Sequence, residues 1–234
     1  MTNVRVAGRG RAGGALAGAL TATGGWDVEL VAHEDASAEG VDLLVLAVPD
    51  GEIAPVAAAV PPVPTTVVAH LAGSLGLDVL APHERRAAIH PLLALSNAEL
   101  GAERLRSGAW FAIAGDPIAA AVVEALGGRS FEIADADRAA YHAAACIASN
   151  HLVALLAQTQ RVASGVGAPF DAYLDLVQVT LDNVRALGPT AALTGPAARG
   201  DTATIARHLA ALAEDERPLY AALAEACRVL GQEQ

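Results

Sequence analysis

The chain has 234 residues, is 53% hydrophobic and carries a formal net charge of −11. An acidic balance of this size repels nucleic acid phosphates and anionic membrane surfaces, so neither is expected as a partner. Every basic residue is Arg, which excludes Lys chemistry, and the two cysteines, Cys146 and Cys227, have no ligand-like spacing, so no metal site or disulfide framework is expected.

The N-terminus enters a short β-branched run at residues 3–7, with no secretory signal ahead of it. An Ala/Leu-rich helix is expected over 12–21 and a second strand over 28–32. Residues 42–48 (DLLVLAV) form a continuous apolar run between turn signals, as a parallel strand buried on both faces should. A short helix over 52–60 is ended by Pro61-Pro62-Val63-Pro64, and 65–71 is a further strand. Weaker strand signals fall at 87–90, 110–114 and 130–133, with a helix over 118–126 closed by Gly127-Gly128. This is the βαβ rhythm of an α/β Rossmann domain, a doubly wound, mostly parallel sheet, over residues 1–134.

After residue 133 the strand signals stop. Asp137 can cap a helix running from 140 to about 160, ended by Gly165 and Gly167. Further helices are expected over 170–187, 202–213 and 218–230, making residues 135–234 an all-α C-terminal domain. Mean hydropathy is +0.39, yet Pro, His, Arg or Asp interrupts each long apolar stretch, so no bilayer span is expected. A cytoplasmic protein is the plain expectation.

Gly8-Arg9-Gly10-Arg11-Ala12-Gly13 is a complete G-x-G-x-x-G between a strand and a helix. The first Gly allows a tight turn, the second lets the backbone approach a pyrophosphate, and the third lets helix and strand pack closely. Glu34 lies 21 residues after Gly13, where a carboxylate accepts hydrogen bonds from ribose hydroxyls and repels a 2′-phosphate. That leans towards NAD. Arg9, Arg11 and His33 are placed to hold a 2′-phosphate instead, so NAD and NADP both stay open.

The run from Tyr141 to His151 is unusual for a core helix. On a 3.6-residue period His142, Cys146, Ser149 and Asn150 share one side, among small Ala residues. A second cluster, Gly195-Pro196-Ala197-Ala198-Arg199-Gly200-Asp201, precedes a helix carrying His208. Each has a structural alternative. His142 can be a packed interface residue, Arg199 and Asp201 can pair with each other, and His90-Pro91 can be a turn.

On these residues the chain resembles the 6-phosphogluconate dehydrogenase-like superfamily, which includes β-hydroxyacid dehydrogenases, pyrroline-carboxylate reductases and ketopantoate reductases. It is most similar to bacterial Rossmann-like proteins with a C-terminal helical domain of unknown function, related to alternative ketopantoate reductases. The resemblance is carried by Gly8–Gly13, Ala47-Val48-Pro49-Asp50, His90-Pro91-Leu92, Tyr141-His142 with Ser149-Asn150, and Gly195-Pro196 with Arg199-Gly200-Asp201. It implies cofactor contacts from Val48 and Pro49 as well as the glycine loop, and a homodimer formed through the helical domain. Ketopantoate reductases keep a Lys on the first long helix of the second domain with an Asn eight residues on. Here His142 and Asn150 have that spacing, with His in place of Lys, and Asp201 is the nearest match, out of register, to a later carboxylate.

The expected function is an NAD(P)-dependent oxidoreductase acting on a CH–OH or CH–NH donor. Hydride passes between a nicotinamide and a small 2-keto acid, such as ketopantoate, or an imine, in an interdomain cleft. His142 supplies the proton, Asn150 and Ser149 orient the substrate, Asp201 is a further catalytic candidate, and Arg199 and Tyr141 bind substrate. The alternative is a dinucleotide-binding or sensor protein without turnover. Deazaflavin-dependent reduction is a third reading.

Overall fold

The computed structural model describes residues 1–233. Seven strands form one sheet in the order β2-β1-β3-β4-β5-β6-β7. They are β1 (Thr2–Ala7), β2 (Trp26–Val31), β3 (Leu43–Leu46), β4 (Val67–His70), β5 (Arg86–Pro91), β6 (Trp110–Gly115) and β7 (Arg129–Glu132). All pairings are parallel except β5 with β6. The central strands β3 and β4 are buried along their whole length, which is why they read as continuous apolar runs. The expected doubly wound, mostly parallel Rossmann domain followed by a helical region is the architecture observed.

Helices α1 (Arg11–Thr23), α2 (Asp50–Ala59), α3 (Ala98–Leu105) and α4 (Ile118–Ala125) flank the sheet. Helix α3 lies outside the sequence expectation. It packs on α1, where a Cβ on Gly14 would meet the Ala98 side chain at 2.9 Å. Small residues on α1 let the two helices approach, and Asn97 caps α3 by accepting from the Leu100 amide at 2.8 Å. At the sheet edge the Arg129 guanidinium stacks over the Trp110 ring at 4.5 Å.

The remaining helices are α5 (Arg138–Cys146), α6 (Leu152–Gly165), α7 (Phe170–Leu187), α8 (Pro189–Ala192), α9 (Thr202–Ala211) and α10 (Arg217–Gly231). Residues Ile147–His151, between α5 and α6, form a π-helical turn. The chain divides into two compact units, Met1–Ser149 and Asn150–Gln234. The division falls after α5 and not at residue 134, because α5 packs with the sheet. Strands β6 and β7 run opposite to β1–β5, so the chain leaves the sheet heading away from their carboxyl ends. A 3₁₀ turn over Asp135–Asp137 reverses it, and α5 then returns Tyr141 to the end of β5.

Among the described residues one helical run, 135–165, is of bilayer length. An 18-residue window within it has a mean hydropathy of 1.3, enough by length and composition alone to cross a membrane, and none of that window is buried. Its interruptions are His, Ser and Asn among many Ala, which dilute the hydropathy without cancelling it.

The helical unit, described by itself, has a polar centre. The Gln158 amide donates to the Glu216 backbone carbonyl at 2.9 Å and to its carboxylate at 3.0 Å, and Arg161 pairs with the same carboxylate. Leu152, Leu155 and Leu156 of α6 are half-buried. On α7, Leu176, Val179 and Leu187 are 60%, 56% and 59% exposed.

Candidate functional site

The glycine loop lies where β1 and β3 adjoin, the point at which the strand order reverses. Gly8 has φ of 124°, and a Cβ there would fall on the carbonyl oxygen of Ala47 at the end of β3. A Cβ on Gly13 would fall on the Gly8 carbonyl oxygen. These two glycines are required by the fold itself. Gly10 differs, because a Cβ there would meet no atom within 4 Å. It is the N-cap of α1, makes no side-chain cap, and is exposed together with Arg9 and Arg11. The first amides of α1 therefore face open space with the positive end of a 13-residue helix behind them, a cradle that suits a pyrophosphate.

His33 and Glu34 lie in a 3₁₀ turn just after β2. Their side chains pair at 3.3 Å and both are more than half exposed. Val48 and Pro49 lie between β3 and α2, half-buried and exposed respectively. Asp50, the first residue of α2, accepts from the Ser74 hydroxyl at 3.0 Å, tying the ends of β3 and β4 together.

A cluster of titratable rings gathers at the ends of β4 and β5. His90 Nδ1 and the Tyr141 hydroxyl share a 2.6 Å hydrogen bond. The His90 ring meets Tyr141 and His142 edge to face, at centroid distances of 5.5 and 5.8 Å. Gly73, in the loop after β4, packs against both imidazoles: an added Cβ would lie 2.6 Å from His142 Cδ2 and 2.8 Å from His90 Nε2. Cys146 Sγ is 4.0 Å from His142 Nδ1. Burial, aided by the charges of His142 and Arg138, lowers His90 to about 4, so this imidazole is neutral over the working pH range. The Tyr141 hydroxyl is pushed up by burial, and Arg138 opposes the shift.

Beneath this cluster His70 is fully buried at the end of β4. Its Nδ1 accepts from the Ala72 amide at 3.2 Å, and its Nε2 donates to the Gly76 carbonyl at 3.2 Å. Burial holds it below the usual imidazole range. Arg138, at the start of α5, is also fully buried. Its Nε donates to Asp135 at 3.2 Å, and Asp135 accepts from the Leu77 amide at 2.9 Å.

The structure thus brings Tyr141 and His142 together with His90, which sequence reasoning read only as a strand end, and with Arg138, which it did not single out. A signal was present, since Arg138, His142 and Cys146 recur every four residues on one stripe of α5. Ser149 and Asn150 lie in the π-helical turn, half-buried and exposed respectively. That turn breaks the 3.6-residue period which placed them beside His142. In the helical unit, Asp201 caps α9. Its two oxygens accept from the Thr204 amide at 2.9 Å and the Thr204 hydroxyl at 2.7 Å, and these bonds hold the carboxylate below its usual range. As an ionised cap it can accept a proton or hold a cation, but has no proton to give. Arg199 is exposed. His208 Nδ1 shares a 2.6 Å hydrogen bond with the Tyr220 hydroxyl.

The fold has known relatives. A candidate NADP oxidoreductase from Bacteroides fragilis is 23% identical with a TM-score of 0.78, over 97% of this chain and 98% of that one. A protein of Thermotoga maritima is also 23% identical, with a TM-score of 0.76 over 98% of each chain. The 1-pyrroline-5-carboxylate reductase of Streptococcus pyogenes is 15% identical, with a TM-score of 0.68 over 99% and 97%. At these identities the likeness is one of fold. Among curated proteins none matches the chain. A Rossmann-like domain is matched over residues 27–95. The family described as a domain of unknown function, DUF2520, is matched over residues 110–227, just over half of the chain, and the protein is a member of that family.

Proposed function

We propose that the chain is an NAD(P)-dependent oxidoreductase of the 6-phosphogluconate dehydrogenase-like superfamily that reduces a small ketone or imine, with 2-keto acids such as ketopantoate in its range. One observation carries this reading: the open, uncapped glycine loop and the His90–Tyr141–His142 cluster lie at the carboxyl ends of strands of one sheet, within one compact unit. That is where a doubly wound fold places a dinucleotide and its reaction partner. The dinucleotide-linked names of the structural relatives support it, including one that reduces a cyclic imino acid. A sensor without turnover leaves the ring cluster without a task and is not favoured.

A bound nicotinamide dinucleotide supplies hydride. Gly8 to Gly13 would hold its pyrophosphate, with Val48 and Pro49 beside it and Glu34 or His33 towards its ribose, so both NAD and NADP stay within the proposal. His142 would supply the proton that the substrate oxygen or nitrogen takes up on reduction. Tyr141 binds the substrate, fixed by neutral His90. Ser149, Asn150 and Arg199 are proposed to orient it. A cytoplasmic homodimer without nucleic acid or membrane partners completes the proposal. A second copy would cover the apolar faces of α7 and of residues 135–165, which the chain leaves open.

The test is oxidation of NADH and NADPH against a panel of keto acids and cyclic imines. With a substrate in hand, His142→Ala should lower turnover about 10²–10⁴-fold, the range for losing a general acid, with melting temperature and dinucleotide affinity unchanged. Retained activity per folded molecule would remove His142 from the mechanism. Gly10→Val should weaken dinucleotide binding more than tenfold without loss of stability, because its side chain meets only the ligand's space.

A further inference from the structure

Arg138 has a side-chain exposure of 0%, and its Nη1 and Nη2 are buried with no hydrogen-bond partner among the described residues. A guanidinium does not escape burial by losing its proton. A buried charge with donors left unsatisfied is costly to a fold, and an apolar replacement of similar size is often more stable. Two buried N–H groups left without a partner therefore point to something outside the chain.

The groups nearby do not supply that partner. Asp135 meets only Nε, is 48% exposed, and divides its carboxylate with the Leu77 amide. His70 has both ring nitrogens engaged, with the Ala72 amide and the Gly76 carbonyl. His90 Nδ1 is engaged with Tyr141. Asp50 is tied to Ser74. What is left over is a flat fork of N–H donors next to the proposed proton-donating cluster. Its geometry matches the two oxygens of a carboxylate.

We propose that Arg138 is the receptor for the carboxylate of an anionic substrate, so that the molecule reduced at the His90–Tyr141–His142 cluster is a small keto or imino acid. Both Nη atoms are buried, so entry requires local opening around the start of α5, where Gly73 packs on His90 and His142 and Gly76 packs on Asp135. The inference rests on the reductase reading for the source of the carboxylate, but the site can be tested without turnover.

The probe is sodium acetate, compared with acetamide, which has the same shape without charge, and with sodium chloride at equal ionic strength. The readout is the ring resonances of His90 and Tyr141 in the NMR spectrum of the full chain. Acetate should shift them saturably, and acetamide and chloride at least tenfold less. Arg138→Met should abolish the response without lowering the melting temperature, and Arg138→Lys should weaken it. The site is overturned by absence of a saturable acetate shift in the wild type, by equal shifts with acetamide, or by a retained response in Arg138→Met. A melting temperature lowered by several degrees in Arg138→Met would also overturn it, because Arg138 would then be held for stability. NADPH titration of the same samples separates the two readings: intact dinucleotide binding without an acetate response removes the carboxylate site alone.

Discussion

In the sheet unit, β1 and β3 to β6 and the helices against them bury two apolar clusters, one on each face, around Leu20, Leu43 and Phe111 and around Leu44, Leu46 and Ile53. In the helical unit Ala163 is the one buried apolar residue among those described, and the other buried positions, Gln158 and Glu216, are polar. The first unit closes on itself, and the second leaves its apolar faces outward. The same chain thus holds a region that buries its apolar surface internally and a region that leaves much of its apolar surface exposed.

The sharpest way to break this contrast is a pair of truncations. Phe111→Ala should cost about 3–5 kcal/mol at any protein concentration, as expected for a buried aromatic in a packed core. Leu176→Ala should cost almost nothing in dilute solution, and more as concentration rises if a second copy covers α7. Equal, concentration-independent losses would show that the helical unit is self-sufficient, and light scattering of the wild type gives the association state directly.

Acid should also divide the two units. His90 has a folded value of about 4 against an ordinary value of 6.5, so between the two the unfolded chain binds a proton that the folded chain refuses. The stability of the sheet unit is therefore fully present above about pH 6.5 and falls as the pH drops towards 4, by at most about 3 kcal/mol at 1.36 kcal/mol per pH unit. Urea midpoints across this window should flatten in His90→Gln. Some slope should persist, because His70 is shifted in the same direction.

The smallest effect belongs to the helical unit. Asp201→Ala removes the α9 cap and should cost about 1 kcal/mol, while Asp201→Asn keeps most of it. If activity falls with stability unchanged, Asp201 has a role beyond the cap.

Much of the sheet was readable because its pattern is local. Residues 42–48 announce a doubly buried strand, the 8–13 loop announces its turn, and the 170–187 period gives the bounds of α7. Helix α3 was not readable, since its eight residues are weakly apolar and its place is fixed by the small face of α1. The cluster was half readable. Tyr141 and His142 stood out as polar residues in an Ala-rich helix. Their meeting with His90, 51 residues earlier, depends on the reversal of β6 and β7, which no local pattern encodes. The π-helical turn has no composition signature either, and it disturbs the face on which the expected site was drawn.

The aromatic edge contact at Trp110 has a practical consequence. Trp110, stacked under Arg129, and Trp26 are the two tryptophans of the chain, and both lie in the sheet unit. Tryptophan fluorescence, excited at wavelengths where tyrosine does not absorb, therefore reports on one unit only, whereas far-ultraviolet circular dichroism is dominated by the helices of both. The two optical signals, followed through a single denaturant titration, form a built-in two-channel meter. Coincident traces would mean that the units melt as one cooperative body. Separated traces would give each its own midpoint, with no label attached to the protein.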